Sequence, residues 1–128
     1  MTRSELEKFE KILGQMEGLH REIGALAKKS ATDAVNKFKL RFVNSIITDA
    51  DTVLGKRYKP FADFNQFDPD DVPSNSDVTM IITQYIEAFE RLRTDNIRFD
   101  YGSWYYTLTD GQNDIITAPP RRLSEKKS

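Results

Sequence analysis

The 128 residues are the usual length of one compact domain, and 38% hydrophobic with 30% charged residues exclude both a disordered chain and a membrane-embedded one. A formal net charge of −1 excludes nucleic-acid binding through overall charge, so such binding requires a local basic patch. The absence of cysteine excludes disulfides, thiol catalysis and cysteine-bound zinc.

The location of the protein is predicted from what the sequence lacks. No segment approaches the roughly 20 apolar residues of a transmembrane helix. Residues 1–10 are charged and have no apolar core of the kind found in signal peptides. Together with the absence of cysteine, these features favour a cytoplasmic protein that does not contact a membrane.

Apolar residues recur every three or four positions over residues 6–27, which predicts a first helix over residues 3–28. Two pairs fit the capping pattern at its start, Thr2 with Glu5 and Ser4 with Glu7. His20 is the only histidine and falls within the apolar arc. Because catalysis needs convergent partners, we expect a half-buried side chain hydrogen-bonded to a neighbouring element or at a subunit contact.

Ser30 and Asp33 form another capping pattern, which predicts a tight break near residue 30 and a second helix that turns back. Gly55 is placed to end this helix. Two neighbouring apolar lines give the helix an unusually wide apolar arc, which predicts packing on two sides. The lines are Val35, Phe38, Phe42, Ile46, Asp49 and Val53, and Leu40, Val43, Ile47, Ala50 and Leu54.

Residues 61–77 carry five aspartates and no lysine or arginine. Apolar side chains are interleaved with the acids, so we predict a long acidic loop that is pinned to the body. These are Phe61, Phe64, Phe67 and Val72. The loop lacks the glycine and glutamate that a calcium-binding EF-hand loop needs, and we expect no metal site. Contact with a basic protein partner is an alternative for its exposed acids, Asp68, Asp70 and Asp71.

A third helix is predicted from a serine cap at Ser74 or Ser76, with Asp77 completing the pattern, to a stop near Asn96. After Arg98 the period changes to strand-like alternation. This predicts a β-hairpin that turns at Asp110–Gly111 and returns over residues 114–117. The predicted fold is mainly α, a three-helix bundle with a long acidic loop and a C-terminal β-hairpin, in one domain over residues 1–120 with a polar tail over 121–128.

Carboxylates at three-residue spacing, Glu7 with Glu10 and Glu87 with Glu90, are compatible with a helical-bundle metal-dependent nucleotide hydrolase. Both pairs fall away from the apolar stripe of their helix, so we expect them to face solvent. The chain has no glycine-rich phosphate loop, no zinc spacing and no catalytic triad pattern. We therefore predict no catalytic residues, no cofactor and no metal.

Cations concentrate around both ends of the second helix, and they are the local argument for a nucleic-acid-binding protein, the second alternative. The candidates are Lys37, Lys39, Arg41, Lys56 and Arg57. Such a protein would also use the aromatic residues of the hairpin.

The aromatic run over residues 99–106 is the densest feature of the sequence. Alternation directs about half of it outward, and exposed tyrosines beside arginine are typical of binding surfaces. Our candidates are Arg98, Tyr101 and Tyr105. The favoured hypothesis is a non-enzymatic interaction module: a small accessory, regulatory or inhibitor protein of bacterial type that docks a protein partner. A homodimer through the apolar arcs of the first two helices is a further hypothesis.

Overall fold

The computed structural model describes residues 1–111 and 114–121. Three helices come first, α1 (Arg3–Lys29), α2 (Lys37–Tyr58) and α3 (Asn75–Thr94). Three short strands follow, β1 (Ile97–Asp100), β2 (Ser103–Tyr106) and β3 (Ile116–Thr117). The structure confirms a mainly α three-helix bundle with a small C-terminal antiparallel sheet. Residues 122–128 of the predicted polar tail lie outside the described residues.

The start of α1 is the capping box that the sequence predicts. The Thr2 hydroxyl accepts a hydrogen bond from the Glu5 N–H at 3.1 Å, and the Glu5 carboxylate accepts one from the Thr2 N–H at 2.7 Å. Two backbone donors that the first turn leaves unpaired are thereby satisfied.

The start of α2 differs from the prediction. Asn36 caps it, accepting hydrogen bonds from the backbone N–H groups of Phe38 and Lys39. The predicted cap at Ser30 is wrong, because Ser30 instead closes the end of α1 by donating its N–H to the Leu26 carbonyl. Residues 31–36 then form a connector that bonds to a distant part of the chain.

The partner of this connector is the segment that begins α3. The Val35 N–H donates to the Pro73 carbonyl at 2.9 Å, and the Asn75 N–H donates to the Asp33 carbonyl at 2.8 Å. These pairings explain the late start of α2, since the connector's backbone groups have partners that local sequence cannot indicate. They also place the start of α3 beside the start of α2. Hence α2 and α3 run in one direction and α1 in the other.

The core lies between the three helices. Phe9 of α1 and Phe89 of α3 are fully buried, with ring centroids 5.2 Å apart. The inner apolar line of α2 is buried against them, as are most apolar positions of α1 and α3. The bundle therefore covers most of the wide arcs that the sequence offered for a homodimer. Phe38 and Phe42 are the large α2 side chains that stay exposed.

Gly55 interrupts α2 where the sequence predicts. Its φ is 68° and its ψ is −179°, a combination that side chains disfavour, and the chain makes one further turn to Tyr58. The acidic loop follows. Phe61, Phe64 and Phe67 make successive edge-to-face contacts and pack against the core, which confirms that aromatics pin this loop.

The sheet has the order β1-β2-β3, with both pairs antiparallel. Its tight turn is Tyr101–Gly102, where φ is 47° and 79°, as in a two-residue type I′ hairpin. The predicted hairpin is also present, because β2 and β3 are antiparallel with Trp104 opposite Thr117, and the chain turns at Asp110 and Gly111, where the glycine φ is 91°. The strand β1 and its turn at Tyr101–Gly102 were not predicted. Asp110 accepts hydrogen bonds from the Arg3 N–H at 3.1 and 3.2 Å, which holds the β2–β3 connection against the start of α1.

Among the described residues, no helix combines the length and apolar character needed to cross a membrane.

Candidate interaction surface

The strand register decides which side chains share a face of the sheet. Phe99 lies opposite Trp104, whereas Arg98 lies opposite Tyr105 and Tyr105 opposite Ile116. Because directly opposed residues in antiparallel strands point to the same side, these sets occupy opposite faces. The first face also carries Tyr106, which is buried against the bundle. The second face is the outer one.

The outer face joins a cation to an aromatic ring. The Arg98 guanidinium lies 5.3 Å from the centroid of the Tyr105 ring, and its Nη1 donates to the Tyr106 carbonyl at 3.0 Å. Ile116 stands beside Tyr105 with 66% of its surface exposed. The structure thus brings together two of the three predicted binding residues and adds an isoleucine.

The end of the β1–β2 hairpin projects further aromatic side chains. Tyr101 in the turn is 94% exposed, and Phe99 is 60% exposed although its ring meets Trp104 at 5.4 Å. We call Arg98, Tyr101, Tyr105 and Ile116 together the sheet surface; Phe99 and Trp104 lie on the opposite face of the sheet. The sequence predicted Arg98, Tyr101 and Tyr105 but missed Phe99 and Ile116, whose exposure depends on a register that local alternation does not fix.

A buried arginine fastens the sheet to the bundle. Arg93 of α3 is 6% exposed, and its Nε and Nη2 each donate to one oxygen of Glu90 at 2.9 Å. Its Nη1 donates to the Thr117 hydroxyl at 2.9 Å and the Ala118 carbonyl at 2.8 Å, and Nη2 also donates to the Pro119 carbonyl at 3.0 Å. All five N–H donors of the guanidinium are therefore used.

Glu90 is the acidic partner of Arg93, and the prediction that the Glu90 side chain faces solvent is wrong. Its side chain is 15% exposed, and it also accepts the backbone N–H of Arg121 at 3.0 Å. Burial opposes ionisation of the carboxyl, but the hydrogen bonds from Arg93 and Arg121 outweigh it and lower the pKa of Glu90. The structure requires the carboxylate, not the neutral acid.

Sequence reasoning passed over Arg93, although a signal was present. Arg93 follows Phe89 by four positions and therefore lies on the apolar stripe of α3. A cation in that position needs a buried partner, because an unpaired charge in a protein interior is strongly unfavourable. Glu90, three positions earlier, was the available acid.

A second polar contact ties the sheet to α1. The Tyr106 hydroxyl donates to the Glu10 carboxylate at 2.8 Å. Burial of the phenol, opposed by a hydrogen bond with Thr117 and aided by the one with Glu10, raises the pKa of Tyr106 to about 12. Glu10 is exposed as predicted, yet it has this specific structural partner.

The remaining carboxylates do not gather into a metal site within residues 1–111 and 114–121, where no group of three or more His, Cys, Asp or Glu side chains could hold an ion. Glu7 is exposed and lies 3.7 Å from Arg3. Glu87 and Glu90 line a cleft of about 400 Å³ between α2 and α3. The acids there are engaged by protein groups, since Asp95 accepts from the Tyr58 hydroxyl at 2.5 Å and Glu90 from Arg93.

His20 is half-buried, and its Nε2 lies 3.1 Å from the hydroxyl of Thr83 on α3. That hydroxyl donates its own proton to the Thr79 carbonyl at 2.9 Å, so His20 Nε2 acts as the donor. The histidine thus contacts a neighbouring element in the way that the sequence predicts.

The candidate nucleic-acid residues form two groups. Lys37, Lys39 and Arg41 lie in the first turns of α2, and Lys56 and Arg57 lie at its end. At 1.5 Å per residue, the groups are separated by about 20 Å along the helix. Lys39 is paired with Glu22, and Arg57 lies 3.7 Å from Asp95.

Arg41 belongs to a small aromatic cluster instead. Its guanidinium lies 5.9 Å from the Phe38 ring centroid and 6.0 Å from that of Phe42. The two rings meet edge to face at 5.0 Å and are 62% and 47% exposed. This second surface, the Phe38–Arg41–Phe42 cluster, is smaller than the sheet surface.

Asp68, Asp70 and Asp71 are exposed in a tight turn, in which the Asp68 carboxylate accepts the Asp70 N–H at 2.9 Å. The turn follows Phe67, whose backbone N–H and carbonyl are both bonded to the side chain of Asn44 in α2. The sheet is bonded instead to α1 and α3. The two sets of predicted partner-binding residues therefore belong to separate surfaces.

The chain is a three-helix bundle with a small antiparallel sheet fastened to one end. Comparisons with models of protein families, with characterised proteins and with solved structures find no match. A function must therefore be inferred from the geometry of this chain alone.

Proposed function

We propose that the protein is a non-enzymatic docking module that binds a protein partner through the sheet surface. The supporting observation is that the exposed side chains of Tyr101 and Ile116 belong to one small sheet and lie near Arg98, which is stacked on Tyr105. Aromatic and arginine side chains dominate the binding energy of protein interfaces. A role as an accessory, regulatory or inhibitor protein of the cytoplasm fits a module of this kind.

Rigidity supports the same proposal. Arg93 and Glu90 hold β3 and the residues after it, and Tyr106 bonds to Glu10 of α1. A surface that is ordered before binding loses less conformational entropy when the partner arrives. The sheet surface is therefore presented in its binding geometry.

The backbone of Tyr101 gives independent support. A type I′ turn favours Asn, Asp or Gly at this position, and a tyrosine with φ of 47° destabilises the turn by about 1 kcal/mol. Its side chain, at 94% exposure, gains little from the fold. Strained residues of this sort cluster at functional sites, and contact with a partner accounts for the tyrosine.

Affinity capture from the native cell tests the proposal with a matched pair of variants. The test variant is Tyr101→Ser with Ile116→Ser, and the control is Phe38→Ser with Phe42→Ser, which removes exposed apolar area from another surface. We expect wild type and control to retain the same protein partner and the test variant to bind it about 30-fold more weakly, equivalent to about 2 kcal/mol.

Loss of the partner from the control but not from the test variant would refute the proposal. So would recovery of nucleic acid alone, with binding that falls steeply as salt rises. That second result would support the nucleic-acid hypothesis, with Lys37 and Arg41 as the candidate contacts. Charge reversal of Asp68, Asp70 and Asp71 tests separately whether a basic partner also contacts the acidic loop.

A further inference from the structure

We infer that the outer edge of β1 pairs with β1 of a second copy of the chain, in antiparallel register about Phe99, so that two sheets join into one of six strands. This inference goes beyond the proposed function. Tyr105 and Ile116 remain on the outer face for another partner, so self-association and partner docking can fail separately.

The hydrogen-bond pattern of the hairpin identifies the groups at this edge. A two-residue turn makes Asp100 and Ser103 a hydrogen-bonded pair, and alternation makes Arg98 and Tyr105 the next one. The observed bond from the Tyr106 N–H to the Ile115 carbonyl, away from β1, agrees with this assignment. The backbone N–H and C=O groups of Ile97 and Phe99 therefore point outward from the sheet.

The two edge strands of the sheet, β1 and β3, differ in whether another strand can pair with them. At β3, Arg93 occupies the Thr117 hydroxyl and the Ala118 carbonyl, and two prolines follow. Such features block the addition of another strand. At β1, the register leaves Ile97 and Phe99 outside the hydrogen-bonded pairs with β2, and no backbone hydrogen bond from the described loops and turns reaches them. The outward backbone groups of β1 are therefore available to pair with another strand, and Phe99 at this edge is 60% exposed.

Charge complementarity selects a second copy and fixes the register. With Phe99 opposite the Phe99 of the other copy, Arg98 faces Asp100 of that copy, and symmetry makes this ion pair twice. Opposite charges directly across a strand pair are favourable. Centring the pairing on Arg98 or on Asp100 would instead oppose like charges, so β1 is complementary to itself in the Phe99-centred register.

This register also covers apolar surface. Both Phe99 rings come together on one face beside Trp104, and Ile97 faces the Tyr101 of the other copy. In the single chain, the Arg98 and Asp100 side chains are 35% and 45% exposed, and the Arg98 Nε lies 3.9 Å from the Asp100 carboxylate. An isologous contact of this type closes with two copies and does not propagate.

A pair of charge reversals, Arg98→Asp and Asp100→Arg, tests the inference by sedimentation equilibrium over a range of concentrations. Wild type should dimerise, and each variant alone should be monomeric, because it places like charges opposite each other twice. We expect a rise of the dimer Kd by about 30-fold or more in each variant, equivalent to about 2 kcal/mol. An equimolar mixture of the two variants should dimerise again, since both cross-strand pairs between positions 98 and 100 then join opposite charges.

The mixture makes the test specific. Arg98→Asp also loses the contacts that Arg98 makes within its own chain, and this loss alone can weaken dimerisation of that variant. It cannot explain why dimers return when the two variants are mixed. Lys37→Asp, which reverses an exposed charge on α2, serves as the control and should dimerise like wild type. Hydrogen exchange adds a second measurement, in which the Phe99 amide should become protected as the wild-type concentration rises.

A wild-type chain that stays monomeric at all concentrations would overturn the inference. A mixture that remains monomeric, or a dimer in which the Phe99 amide exchanges at the monomer rate, would do the same. Capture of the protein partner by the monomeric Asp100→Arg variant, which keeps every residue of the sheet surface, would leave the proposed function standing and separates the two failures.

Discussion

The helices and the sheet are held in this molecule by different combinations of forces. Apolar side chains such as Phe9 and Phe89 join the three helices, whereas the sheet is attached by the buried Tyr106 together with hydrogen bonds of Arg93 and Glu10. Truncating a packed apolar side chain lowers the free energy of unfolding roughly in proportion to the volume removed. Removing one member of a buried ion pair has a further unfavourable effect, because the other member stays charged and unpaired. The attachment of the sheet therefore depends strongly on a few polar side chains, above all Arg93.

The chain contains a natural probe for each region. Its single tryptophan, Trp104, lies in β2, so intrinsic fluorescence reports on the sheet. Far-UV circular dichroism is dominated by the three helices. Denaturant unfolding followed by both signals therefore compares the stability of the two regions in one experiment.

The largest effect is expected in the helical core. Phe9→Ala removes a fully buried ring and should lower the free energy of unfolding by about 4 kcal/mol, with both signals lost in one transition. Phe9→Leu, which keeps most of the volume, should lower it by about 1 kcal/mol. Equal losses from the two variants would contradict a closely packed site at Phe9.

Arg93→Ala should separate the two regions. It leaves Glu90 charged, mostly buried and without its bidentate partner, and frees the Thr117 hydroxyl and the Ala118 carbonyl. We expect a loss of about 3 kcal/mol from the attachment of the sheet, so that the Trp104 signal changes before the helical signal. The neighbouring exposed Arg91→Ala is the control and should change stability by less than about 0.5 kcal/mol. Coincident transitions in Arg93→Ala would show that sheet and bundle unfold as one unit.

The ion pair between Arg93 and Glu90 also predicts a smaller effect, a dependence of stability on pH. Because the pKa of Glu90 is lowered in the folded state, its contribution to stability is complete above the usual glutamate pKa of about 4.3 and is lost as the pH falls through the lowered value. Wild type should therefore lose its Trp104 signal in acid before its helical signal. Glu90→Gln should be less stable at neutral pH and should lack this part of the pH dependence.

The smallest effect should have the opposite sign. Tyr101→Asn relieves the positive φ of the turn and should stabilise the sheet by about 0.5–1 kcal/mol, seen as a later Trp104 transition. The same variant should bind the protein partner more weakly, because it removes an exposed ring of the sheet surface. A variant that is both more stable and equally good at binding would show that Tyr101 plays no part in docking.

Local sequence predicted the helices well because their determinants are local. Spacing of three and four residues indicated the buried stripes, and the hydroxyls of Thr2 and Ser74 cap α1 and α3 as expected. The start of α2 was predicted wrongly, since the connector before it bonds to Pro73 and Asn75, some 40 residues away. No capping pattern contains that information.

The candidate site was predicted in part for a similar reason. Tyr101 and Tyr105 were recognised from alternation, and the turn at Asp110–Gly111, a common turn dipeptide, lies between β2 and β3 as predicted. The further turn at Tyr101–Gly102 was missed, because it requires a tyrosine in the left-handed region. Phe99 and Ile116 became visible only through strand register, and Arg93 only through the residues that surround it.

The contacts between the start of α1 and the β2–β3 connection also constrain how the molecule assembles. The Thr109 N–H donates to the Met1 carbonyl at 2.9 Å, joining residues that are 108 positions apart. Closing so long a segment is entropically unfavourable until the intervening helices have already packed. We therefore expect the sheet, whose own strand pairings are local, to attach to the start of α1 only after the helices have packed.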